Sequence, residues 1–154
     1  MNPEDMEYYF SGFPRTLFEV FTIFYGVVIV NIYDCVCPRF IGYHFFLLFV
    51  YVLPFIPLLL TRRLSLWNII WLGIMISLLN DLFFFFIARA LGVRDFSIIW
   101  YYGNWLIPRS TYIGRWDFLL FKLDVYSWTM ALSIYARLIF LWFTRDWRPV
   151  RQSP

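Results

Sequence analysis

The sequence predicts an all-α integral membrane protein: a bundle of four transmembrane helices, with an aromatic interfacial or re-entrant segment between helices 3 and 4. Three observations carry that reading. Of 154 residues, 62% are hydrophobic and 15% charged, against roughly 45–50% and 25% in an ordinary soluble domain. Mean hydropathy is +0.66. Aromatic side chains make up 25% of the chain, with 19 Phe, 11 Tyr and 8 Trp, and amphipathic rings gather at membrane–water interfaces. A single domain over residues 1–154 suits this length.

A spanning helix needs about 20 mainly apolar residues. The first such run is 16–37, stopped by Pro38 and Arg39. The second is 40–60, followed by Arg62 and Arg63, with Pro54 and Pro57 inside it. Each proline removes an amide N–H and loosens the helix there. The third is 65–91, long enough to tilt. The fourth is 124–143, and a basic tail occupies 144–154. The segment 93–118 is too polar and too interrupted to cross. Its apolar piece, 96–107, would reach only about 18 Å as a helix. Its Trp and Tyr side chains place it over one end of the bundle.

Four spans put both termini on one side. Lys and Arg divide evenly between the two faces, and the Arg62–Arg63 hairpin and the tail assign the termini to the cytoplasm. The first 15 residues carry three acids and one Arg, unlike a secretory signal or a transit peptide. The first span is therefore expected to remain and to act as its own insertion signal. A net charge of +3 without a dense basic run argues against a nucleic-acid partner.

Cys35 and Cys37 point to different faces of a helix. They read as small apolar side chains at a span end, with palmitoylation the sharper alternative. Two Cys and one His are too few for a zinc site, and no metal or other cofactor is expected. Nucleotide loops, zinc-protease motifs and nucleophile elbows are absent from the sequence.

Ionisable residues at membrane depth face the bundle interior, pair with something, and are functional candidates by default. Gly73, Ser77 and Asp81 recur every four residues and form one stripe of span three. Such small-residue stripes mark helix–helix contacts, so Asp81 should point inward. Gly26 and Asp34 share a stripe of span one, as do Asp124, Ser127 and Ala131 in span four. With helices alternating up and down, one end of the bundle collects Asp34, His44, Asn80, Asp81, Arg89 and Asp124 beneath a lid containing Trp100, Tyr102 and Trp105. Asp81 would pair there with Arg89 or a hydroxyl. Glu19 and Arg137 fall in the opposite half and could meet each other. The Phe83–Phe86 run covers all faces of its helix and suits lipid and packing contacts.

Two function classes follow. The first is a non-catalytic subunit of a membrane complex or a lipid-binding accessory protein, with the bilayer, a membrane-protein partner and a lipid or isoprenoid as its partners. The second is a membrane-embedded enzyme, an acid-initiated cyclase or isomerase of an isoprenoid or other lipid. Asp81 would be its proton donor and Asp34 or Asp124 the second carboxylate. His44, Asn80, Arg89, Trp100, Tyr102 and Trp105 would bind the substrate, the aromatic rings stabilising a carbocation.

Overall fold

Most of the long apolar runs become helices, and the computed structural model is mainly helical. It describes residues 15–61, 64–93 and 97–144, with side chains from Val20 onward. The expectations for the Glu19 side chain, for Arg62 and Arg63, and for the tail from 145 fall outside what is described.

Helix α1 (Arg15–Phe24) runs through a widened π-helical stretch, Tyr25–Ile29, into α2 (Val30–Val36). A π-helical stretch disturbs the regular backbone ladder. Here Asn31 Nδ2 donates to the carbonyls of Gly26 and Val27 at 3.1 and 2.9 Å. Pro38 then forces the residue before it out of helical geometry, and Cys37 is extended with ψ 127°. Gly42, at φ 80°, turns the chain into α3 (Tyr43–Val52). Pro54 and Pro57 do not end the apolar rod. They tighten it into a 3-10 turn, Leu53–Phe55, that continues as α4 (Ile56–Leu60).

Helix α5 (Leu66–Ala90) is capped by Ser65, whose hydroxyl accepts the Asn68 amide at 3.2 Å. It is the central element and packs against α2, α3 and the last helix, α7 (Ser127–Phe143). Val30, Phe55, Leu72, Ile76 and Ile134 are buried in the interior. Close approach at one crossing requires Gly26: a Cβ there would sit 2.9 Å from Leu79 Cδ1 and 3.5 Å from Ile76 Cα.

Two helical rods, Tyr43–Leu60 and Leu66–Ala90, are long and apolar enough to cross a membrane. In their most apolar windows 28% and 33% of the residues are buried inside the molecule. Two further apolar helices, Val20–Val36 and Ser127–Phe143, are shorter.

The all-α expectation needs correction between α5 and α7. A short helix, α6 (Ile98–Trp105), is followed by an antiparallel hairpin of β1 (Tyr112–Asp117) and β2 (Lys122–Tyr126). Both strands are rich in the β-branched and aromatic residues that favour a pleated surface. Arg115 faces Asp124 and Asp117 faces Lys122 across the ladder, so opposite charges fix the register. Residues 124–126 are thereby drawn into a strand, and the last helix starts at Ser127, three residues later than expected. The tip is strained: Leu119 adopts φ 71°, a left-handed conformation costly for a branched apolar residue.

Replacing Gly26 with Val should push the first helix off α5 and destabilise the fold by about 1–3 kcal/mol. Thermal unfolding of the purified protein measures this, and an unchanged midpoint would contradict the close crossing.

Candidate functional site

Helix spacing brings four of the expected polar residues to one place. Asp34 lies two residues from the end of α2, His44 at the second position of α3, and Asn80 and Asp81 in the C-terminal half of α5. All four line a single open cavity of about 900 Å³. Trp100 and Trp105 from α6 form part of its wall. Trp116 of β1 covers another side and stacks on the His44 ring, 5.3 Å between centroids.

The cavity has two ionic clusters. Asp34 is buried and accepts three hydrogen bonds: from Arg39 Nη1 at 2.7 Å, Tyr43 Oη at 2.6 Å and Asn80 Nδ2 at 3.3 Å. The Arg39 guanidinium also lies over the Tyr43 ring, 4.1 Å from its centroid. Asp81 is bonded by Arg137 Nη2 from α7. Arg137 Nη1 reaches Ser77 Oγ at 3.1 Å and its Nε donates to the Ser133 carbonyl at 3.2 Å. Asp81 and Arg137 are only 16% and 17% exposed. A charge so enclosed needs both its counter-ion and its hydrogen bonds.

The hairpin is tied to the mouth. Asp117 Oδ1 accepts the amides of Gly42 and Leu119, each at 3.0 Å. The Asp117 amide donates to His44 Nδ1 at 3.0 Å. That bond puts the ring proton of neutral His44 on Nε2. The backbone N–H bonds, with lesser help from Lys122 and His44, hold the Asp117 carboxyl below its usual value of 3.8. Short helix α6 is fastened to α5 by Tyr101 Oη to the Asp81 carbonyl (2.9 Å) and Tyr102 Oη to the Leu82 carbonyl (2.6 Å). Ser127 Oγ closes the other side, sitting 2.8 Å from the carbonyls of Asn104 and Ile107.

Three expected residues lie elsewhere. Asp124 is exposed on β2 and pairs with Arg115 at 2.7 Å. Arg89 is exposed in the last turn of α5. Tyr102 packs among Phe85 and Phe86, outside the cavity. The partner of Asp81 is also corrected: it is Arg137, not Arg89. The later start of α7 moves Arg137 about 4.5 Å closer to this end, and its long side chain covers the rest. Sequence reasoning missed Tyr43, Tyr51, Arg39 and Asp117 as well. Tyr51 was the findable one, since it lies seven residues after His44 and so on the same face of α3.

Several polar atoms at the site lack partners among the described residues. Asn80 Oδ1 and Trp105 Nε1 are buried without a hydrogen bond, which costs about 1–3 kcal/mol for each such group. Among the described residues, no group of three or more His, Cys, Asp or Glu is placed to hold a metal ion.

Fold and site together define a helical, aromatic-rich protein with a polar-floored cavity covered by a hairpin and a short helix. No family model, characterised protein or solved structure matches the chain.

Arg137→Met should destabilise the protein by about 3–5 kcal/mol, because it strands the Asp81 carboxylate in the interior. Adding Asp81→Leu should recover much of that loss. A double-mutant cycle on unfolding free energies checks this, and purely additive effects would rule out the coupling. The hairpin has its own signature. The Asp117 carboxylate is the form that accepts both amides, so its hold is complete above about pH 3.8. It is lost as pH falls through the lowered folded value. The Gly42 and Leu119 amide resonances should move together in that acidic window in an NMR titration, and the movement should vanish in Asp117→Asn.

Proposed function

We propose that this chain is a small multi-pass membrane protein, a four-span bundle, that binds a lipid in the cavity between its helices without catalysing a reaction. The cavity carries the reading. Its floor is polar, its walls are aromatic, and about 900 Å³ is at the upper end of the range for ligand sites. Ile41 and Leu48 line it while being 75% and 51% exposed on the outer surface. An amphipathic molecule could therefore enter sideways, tail outward.

The surface supports the membrane setting. Phe21, Phe24, Phe45, Phe49, Phe83 and Leu132 all project outward. Soluble monomers rarely expose contiguous apolar surface of more than a few hundred Å². The first helical rod, 15–36, spans about 33 Å when its 1.5 Å rise is applied, and α7 at 17 residues meets the lower bound for a crossing. A non-catalytic role fits the charges. Asp34 and Asp81 are both engaged by arginine, which suits a fixed polar floor better than a proton donor.

Native mass spectrometry of the protein, extracted gently with its own lipids, tests the reading. The expected result is a chain carrying one defined lipid. A stoichiometric protein partner with no retained lipid would overturn it in favour of a purely structural subunit.

A further inference from the structure

The charged groups around the cavity are already matched to one another. Asp34 pairs with Arg39, Asp81 with Arg137, Asp124 with Arg115 and Asp117 with Lys122. An anionic head group would have to break one of these pairs to gain a cation of its own. Besides the unpaired Asn80 Oδ1 and Trp105 Nε1, two lining groups on one helix are left with unused hydrogen-bonding capacity. Tyr51 is 7% exposed, lines the cavity, and its hydroxyl has no hydrogen bond within the described chain. His44 spends Nδ1 on the Asp117 amide, so its Nε2–H is a donor without a partner among the described residues.

These two groups sit on one face of α3. Seven residues separate them, two helical turns or about 10 Å along the axis. Leu47 and Leu48 line the stretch between them. The wall therefore reads donor, hydrocarbon, donor. His44 lies at the mouth beneath Trp116, and Tyr51 lies deeper.

We propose that the lipid bound here carries an uncharged head with at least two acceptor oxygens, received by the Nε2–H of His44 and the hydroxyl of Tyr51. This rests on the lipid-binding reading above and deepens it. Two lipid types supply the required chemistry: an isoprenoid quinone, through its ring carbonyls, and a diacylglycerol, through its hydroxyl and ester oxygens. Trp100, Trp105 and Trp116 give either one a flat aromatic surround.

The test is a competition read by native mass spectrometry on the full chain in detergent. Decylubiquinone and dioctanoylglycerol are each set against dioctanoylphosphatidate, whose chains match the glyceride but whose head is charged. At least one neutral lipid should be retained about tenfold or more over the phosphatidate, and which one is retained separates the two sources. Tyr51→Phe removes a hydroxyl that makes no bond within the described chain, so the fold should survive. It should weaken neutral-lipid retention about fivefold, the worth of one hydrogen bond. His44→Asn keeps an acceptor for the Asp117 amide and removes the Nε2 donor, with the same expected loss. Equal or preferred retention of phosphatidate would overturn the head-group inference while lipid binding stands. So would a Tyr51→Phe protein that retains the neutral lipid undiminished. Retention of none of the three would overturn the lipid-binding reading and this inference with it.

Discussion

Two carboxylates buried among helices made almost wholly of hydrocarbon set the terms for the rest of the molecule. Leu against Phe gives packing area but little direction, and many registers of such helices would pack about equally well. Asp34 and Asp81 remove that freedom. Asp34 accepts from Tyr43 and Asn80, which ties α2 to α3 and α5 at one height. Asp81 accepts from Arg137, which ties α5 to α7. A one-turn slip of any of these helices would leave a charge without its partner, at a cost of several kcal/mol. Polar contacts between apolar helices are modest when made. Their influence comes from how badly the alternatives fare.

The same ion pairs line the floor of the cavity. The opening is then covered by elements that bond mainly to backbone. Tyr101 and Tyr102 grip the carbonyls of Asp81 and Leu82. Asp117 holds the Gly42 amide, and glycine suits position 42 on two counts: its φ is +80°, and a Cβ would crowd Leu119 at 3.1 Å. The strained tip residue and the left-handed glycine thus face each other, so the hairpin's docking and the start of α3 are one structural decision.

Sequence periodicity made the helices legible, because runs of 17 to 25 residues leave little room for error in element type. The four-residue stripe ending at Asp81 was legible for the same reason, and Gly73 on that stripe does meet Val52 of the neighbouring helix. The hairpin was not read. Its strands are only six and five residues long, and their alternation of charged and apolar residues, at Arg115–Asp117 and Lys122–Val125, covers too few residues to stand out beside the apolar spans. Those charges looked like loop or membrane-flanking residues but are cross-strand partners. Counted from Asp124, α7 places Arg137 too far from Asp81 for the central ion pair and draws Asp124 into the site. The partners of Asp34 were hidden differently. A tyrosine in an aromatic-rich helix carries no mark that separates a hydrogen-bond donor from a packing ring.

The choice between holding a lipid and transforming one turns on where a proton could come from. An acid-initiated reaction needs a carboxylic acid that carries its proton before the substrate arrives. Asp81 is the best placed carboxyl by depth, yet its Oδ2 is already occupied by the Arg137 guanidinium, which cannot be deprotonated. Asp34 likewise already accepts from Arg39, Tyr43 and Asn80. To make either one an acid, the arginine would have to move away, and Arg137 is anchored at Ser77 and Ser133 as well. The proposed binding asks for no such movement: the floor would keep its pairs, the aromatic walls would take an apolar body, and the unpaired groups on α3 would meet its head.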